Sequence, residues 1–217
     1  VLAARAFVLN WYANPILAGA DAEARQNEAE SEALMAIQLD STNTLALIYY
    51  TEILTDQYKW VQAQEYMQQA VNRGQESMDL HRVHAYLYEV LEEYSLAIDE
   101  YLKAIEITPN LTFLYNSVGR LYRQLQQWDL ALEYFDKAAS LNEQLGIKDP
   151  IPYMAIANTY IRMPESSPMI AARNAYKALT LNPYNPDTYG QVGVIYYRAR
   201  NYEGSIPALQ CAVMGCD

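Results

Sequence analysis

The residues best suited to chemistry in this chain are His81 and His84, in the run His81-Arg82-Val83-His84. Histidines three apart on a helix face the same way, and with Asp79 and Glu89 nearby they supply zinc-ligand types. The same positions in neighbouring segments hold Tyr115 and Val118, Tyr153 and Ile156, and Tyr189 and Val192, which are packing residues. The pair therefore reads as two partly buried, hydrogen-bonded histidines, and no metal site is expected. Cys211 and Cys216 do not make a disulfide framework. A spacing of five along a helix points the side chains apart, so they read as one core thiol and one frayed thiol. No Gly-rich phosphate loop, H-E-x-x-H, G-x-S-x-G or C-x-x-C occurs, so no catalytic residue and no cofactor are expected. Asn110-Leu111-Thr112 fits a glycosylation sequon and reads as a chance match.

The bulk properties narrow the field further. The chain has 217 residues, 52% hydrophobic and 19% charged, which is enough for a buried core and too apolar for a disordered tail. No run approaches the ~20 apolar residues of a membrane span. The chain begins at Val1 with no basic-then-apolar leader, which leaves localisation unknown, with the cytoplasm as the default. The net charge of −11 argues against general binding to nucleic acid, which needs a basic face. The imbalance is local. Residues 1–111 carry 6 Lys/Arg against 17 Asp/Glu, and residues 112–217 carry 9 against 9.

The elements that must position any site follow from a repeat. Tyr88, Tyr122, Tyr160 and Tyr196 recur at intervals of 34 to 38 residues, each closing a similar apolar run. In residues 112–145, Tyr115, Val118, Gly119 and Tyr122 share one helical face, and Ala131, Phe135 and Ala138 share another. The spacing predicts a helix over 113–125 and a second from Trp128 to about Leu141, joined by a turn that permits only an antiparallel hairpin. Gly119 and Ala131 are small because close helix crossings leave little room.

This pattern resembles the tetratricopeptide repeat. Residues 78–111 supply Ala85, Tyr88, Ala97, Tyr101, Ala104 and Pro109, and residues 112–145 match but carry Glu143 where proline is expected. Residues 150–185 have a turn about two residues too long at 163–168 and Ala175 in place of the aromatic, with Tyr176 offered as compensation. Residues 186–217 carry Ser205 in place of alanine, and 44–77 is the weakest unit. Residues 1–43 read as a divergent sixth unit or a capping hairpin: a helix over 1–12, an expanded turn near 13–21 and a helix over 24–39. The resemblance implies an all-α, right-handed superhelical α-solenoid of stacked antiparallel helix pairs, working as a protein- or peptide-binding scaffold.

In such arrays the first helix of each pair lines a concave groove. The resemblance places Asn116, Arg120 and Arg123, then Asn158 and Arg162, then Tyr197 and Arg198, on that side. Arginine forks suit carboxylates and asparagine suits a peptide backbone, so acidic or carboxylate-ended segments are expected as partners. Some family members clamp a peptide C-terminus with Lys, Asn and Arg, and this chain has no Lys at those positions. The bland alternative is that these arginines pair with neighbouring acids and only solubilise the face. The N-terminal groove, with Glu52, Asp56, Asp79 and Glu89, is expected to prefer the opposite charge. The last unit ends without a solvating helix, so either the parent chain continues or this end docks onto something, such as another copy in a homo-oligomer.

Overall fold

A computed structural model of the chain describes residues 1–13, 21–165, 167–183 and 185–215. Among them there are twelve α-helices and no strand. They divide into two compact units, Val1–Thr108 and Pro109–Asp217.

The first unit holds α1 (Leu2–Tyr12), α2 (Ala22–Leu39), α3 (Thr44–Asp56), α4 (Trp60–Asn72), α5 (Met78–Val90) and α6 (Tyr94–Ile107). Its strongest packing is within the pairs α1/α2, α3/α4 and α5/α6, and first helices also touch each other, α1 on α3 and α3 on α5. Asn43 and Ser77 start α3 and α5 by accepting a backbone N–H with their side chains. Leu47, Ile53, Leu54, Met67, Leu80, Val83 and Leu87 fill the core, and Ala6, Ala29, Ala33, Ala63 and Ala70 admit the close crossings. The turn expected near 13–21 falls mostly outside the described residues.

The second unit holds α7 (Thr112–Gln124), α8 (Trp128–Leu145), α9 (Ile151–Arg162), α10 (Pro168–Leu181), α11 (Pro186–Arg198) and α12 (Tyr202–Met214), again packed most closely as successive pairs. The reason for Gly119 is visible. A Cβ there would lie 2.7 Å from the Phe135 ring and 3.1 Å from the Ala131 carbonyl. Ser205, in the alanine position, is buried and donates its hydroxyl to the Gly193 carbonyl at 3.0 Å, so the substitution leaves no unpaired polar group.

The turns repeat as strictly as the helices. Tyr58, Glu92, Gln126 and Arg200 adopt left-handed backbone, with φ of 61°, 62°, 59° and 58°. The next residue donates its N–H back to Leu54, Tyr88, Tyr122 or Tyr196, at 2.8 to 2.9 Å. The carbonyl of the recurring tyrosine is thus the closing acceptor of its turn. In the longer turn the Tyr160 carbonyl is reached instead by the Ser167 N–H at 3.3 Å, with Met163 extended at φ −59°, ψ 145°.

Three local expectations need correction. α8 runs on to Leu145 because Glu143 stands where a proline would stop it, and Gly146 at φ 69° ends it. Tyr176 does not replace the missing aromatic: it is 63% exposed, and Ala175 is buried in a cluster that includes Tyr153, Met154 and Tyr196. Cys211 is disulfide-bonded rather than a core thiol. The helical spacing argument stops at Met214, where α12 ends and Gly215 turns the chain at φ 92°; Cys216 lies outside the described residues.

Candidate functional site

The first helices of the second unit carry a one-sided charge. α7, α9 and α11 hold Arg120, Arg123, Arg162 and Arg198 against one acid, Asp187. Four of the unit's nine acids lie on α8, as Asp129, Glu133, Asp136 and Glu143. Two lysines are paired with them: Lys137 with Glu133 at 2.6 Å, and Lys177 on α10 with Glu143 at 2.5 Å.

Arg123 is the centre of the group. Its Nη1 donates to the Ala155 carbonyl on α9 at 3.3 Å, and its guanidinium lies 5.4 Å from the centre of the Phe135 ring. Burial, then the neighbouring charges of Arg162 and Arg120, push its pKa down to about 10. A guanidinium drawn partly out of water beside other cations is in an unfavourable place unless an anion completes it. Asn116, Arg120 and Arg123 share one face of α7, and Asn158 and Arg162 share one face of α9. The Asn116 Oδ1 is buried without a hydrogen-bond partner, an acceptor waiting for a donor. Arg162 and Arg198 are exposed. Tyr197 stands apart from the arginines: it is 61% exposed and meets Tyr202 edge-on at 5.7 Å. Phe135 and Ala155, which hold Arg123, carry no functional signature in the sequence.

The first unit uses the same positions differently. Arg82 donates both terminal nitrogens to Glu52, at 2.8 and 2.7 Å, and its guanidinium lies 5.5 Å from the centre of the Phe7 ring. Burial opposes the charge on Arg82, but Glu52 and Asp79 keep its pKa above the ordinary value. Asp56 accepts from the Tyr86 hydroxyl and from Asn10 Nδ2, each at 2.6 Å. Burial raises the Asp56 pKa, against the two hydrogen bonds. The cation-seeking groove expected here is thus partly neutralised from within, because Glu52 and Asp56 each meet a donor on the next first helix.

The histidines find partners that the sequence hides. His81 is buried with Nδ1 2.6 Å from Glu100 and Nε2 2.5 Å from Glu76. His84 Nδ1 lies 3.5 Å from the same Glu100 oxygen, its ring stacks on Tyr88, and Lys103 donates to Glu100 at 2.7 Å. Burial raises the Glu100 pKa, but hydrogen bonds from His84, His81 and Lys103 outweigh it and hold the carboxyl well below the usual range. Among the described residues no group of three or more His, Cys, Asp or Glu is placed to hold a metal ion. Among them, too, no helix is long and apolar enough to cross a membrane.

Comparison with known proteins follows the same lines. Two family models described as tetratricopeptide repeat match residues 112–145 and 83–111. The sequence matches no curated protein. Among solved structures, PilW, a type IV pilus biogenesis factor, is similar at a TM-score of 0.74 and 16% identity, over 98% of this chain and 95% of that one. A tetratricopeptide repeat protein from Parabacteroides merdae gives 0.70 and 17%, over 98% and 80%. YrrB, described as having an unusual peptide-binding site, gives 0.59 and 21%, over 84% and 91%. At these identities the likeness concerns the fold, an all-α helical-repeat solenoid, while the matched segments, residues 83–111 and 112–145, are tetratricopeptide repeats.

Proposed function

We propose that this chain is a non-catalytic scaffold that binds a protein or peptide segment, and that the face formed by α7, α9 and α11 selects acidic or carboxylate-ended segments. Tetratricopeptide arrays work as protein-interaction surfaces, and the similar YrrB is described as binding peptide. One observation carries the selectivity: the first helices of this unit hold four arginines and one acid, while α8 alone holds four acids. The ligand-contacting residues on this reading are Asn116, Arg120, Arg123, Asn158 and Arg162, with Tyr197 and Arg198 extending the face. Arg162 and Arg198 are exposed, so Arg162→Ala with Arg198→Ala leaves the fold intact. The double variant should weaken an acidic peptide by about 1–3 kcal/mol, with the loss shrinking in high salt. An unchanged set of bound peptides across the two proteins would remove the site.

A second reading rests on α12, whose Ile206 and Val213 are exposed, Val213 at 85%. There a second copy of the chain would dock and the module would self-assemble. Light scattering over a concentration series tests it, and a strict monomer at the highest concentration rejects it.

A further inference from the structure

We propose that the anion completing the Arg123 site is a doubly charged one, the phosphate of a phosphorylated serine or threonine within the bound segment. The proposal rests on the acidic-segment reading above and names the group that this face is built to hold.

Arg123 reaches from α7 to α9, the helix that carries Arg162. Arg123 is tied to α9 through the Ala155 carbonyl and seated on the Phe135 ring, so its head has little freedom. Arg162 closes the last turn of that same helix, within electrostatic range of Arg123. No acid occurs anywhere on α7 or α9. One carboxylate brings one negative charge and two acceptor oxygens. A phosphate monoester brings a charge of about −1.5 to −2 near neutral pH and three acceptor oxygens, enough for two guanidinium forks. The fixed fork of Arg123 suits such a group better than a mobile lysine would, and this face has no lysine. About two turns back on the same face of α7, the unpartnered Asn116 Oδ1 can accept a backbone N–H from the segment that carries the phosphate.

The test uses three degenerate nonapeptide pools with serine, glutamate or phosphoserine at the centre, read by fluorescence polarisation against the full chain. The phosphoserine pool should bind at least tenfold tighter than the glutamate pool, and inorganic phosphate should compete with it. Arg162→Gln should remove most of the difference, with circular dichroism confirming the fold. Equal binding of the phosphoserine and glutamate pools overturns this proposal and leaves the acidic-segment reading standing. Equal binding of all three pools overturns both. Stronger phosphoserine binding that survives Arg162→Gln also overturns it, because the phosphate then sits elsewhere.

Discussion

Replacing Arg123 with methionine should make the protein more stable and a poorer binder. The drop in its pKa from 12.5 to about 10 corresponds at face value to roughly 3 kcal/mol against the charged form in the fold. Partial solvation and screening reduce that to about 1 kcal/mol. Little is lost in exchange. The Arg123 bond to Ala155 is long, at 3.3 Å, and that carbonyl also accepts from the Thr159 hydroxyl at 2.7 Å. Its removal costs about 0.5 kcal/mol, and methionine keeps a contact with the Phe135 ring. The net gain of about 0.5 kcal/mol should raise the melting temperature by roughly 1–2 °C for a chain of this size. Because repeat arrays need not unfold in one step, midpoints at matched heating rates are the quantity to compare. The gain should shrink between about 50 mM and about 500 mM salt, where the Debye length falls toward a few ångströms. Acidic-peptide affinity should drop about tenfold in the same variant. A variant less stable than the parent would refute the claim that this arginine is held at a cost.

Gly119→Ala should destabilise by about 1–2 kcal/mol, because overpacking against the buried Phe135 exceeds the helix-propensity gain; the same change at Gly193 should cost far less, since its nearest neighbour Leu209 is 36% exposed and can turn away. Thermal melts of both variants decide it, and a larger loss at Gly193 would contradict the packing account. Gln126→Val should cost about 1–2 kcal/mol through a β-branched residue at φ 59°, whereas Gln126→Gly should be neutral or slightly stabilising in denaturant titration. Glu100→Gln should destabilise by about 1–3 kcal/mol at neutral pH by stripping charge-assisted bonds from His81, His84 and Lys103. The Glu100 pKa is depressed in the fold, so its contribution is complete above the unfolded value near 4.5 and fades as pH falls toward the folded value. Melts of parent and variant should therefore converge in acid, and a gap that persists there would reject this assignment.

What the sequence made legible was what obeys the repeat. Gly119 against Phe135 and the buried alanines follow from a helix crossing that every unit must make. The carbonyl that closes each turn belongs to the residue that marks the period. Less legible was what depends on a neighbour outside the same helix. Glu100 lies on the helix after His81, and Glu76 lies in the loop before it, so helical spacing could not find either. Arg82 with Glu52, and Tyr86 with Asp56, are both 30 residues apart on successive first helices. That interval is a signal a charge scan could use. Reading it would have shown in advance that the first unit settles its own carboxylates. The arginines of the second unit were placed by register alone, and the grip of Phe135 and Ala155 on Arg123 needed coordinates.

The turn after α9 has a practical use. In the turns after α3, α5, α7 and α11, one left-handed residue and one carbonyl fix the length of the link, so added residues would break the closure. Between Arg162 and Pro168 the chain has already accepted extra residues with both helices intact. Lengthening a loop that is already open costs only about 0.6 kcal/mol for each doubling. A tag or a fluorophore-bearing loop grafted at this point would report on the second unit beside Arg162 without disturbing a single helix pair.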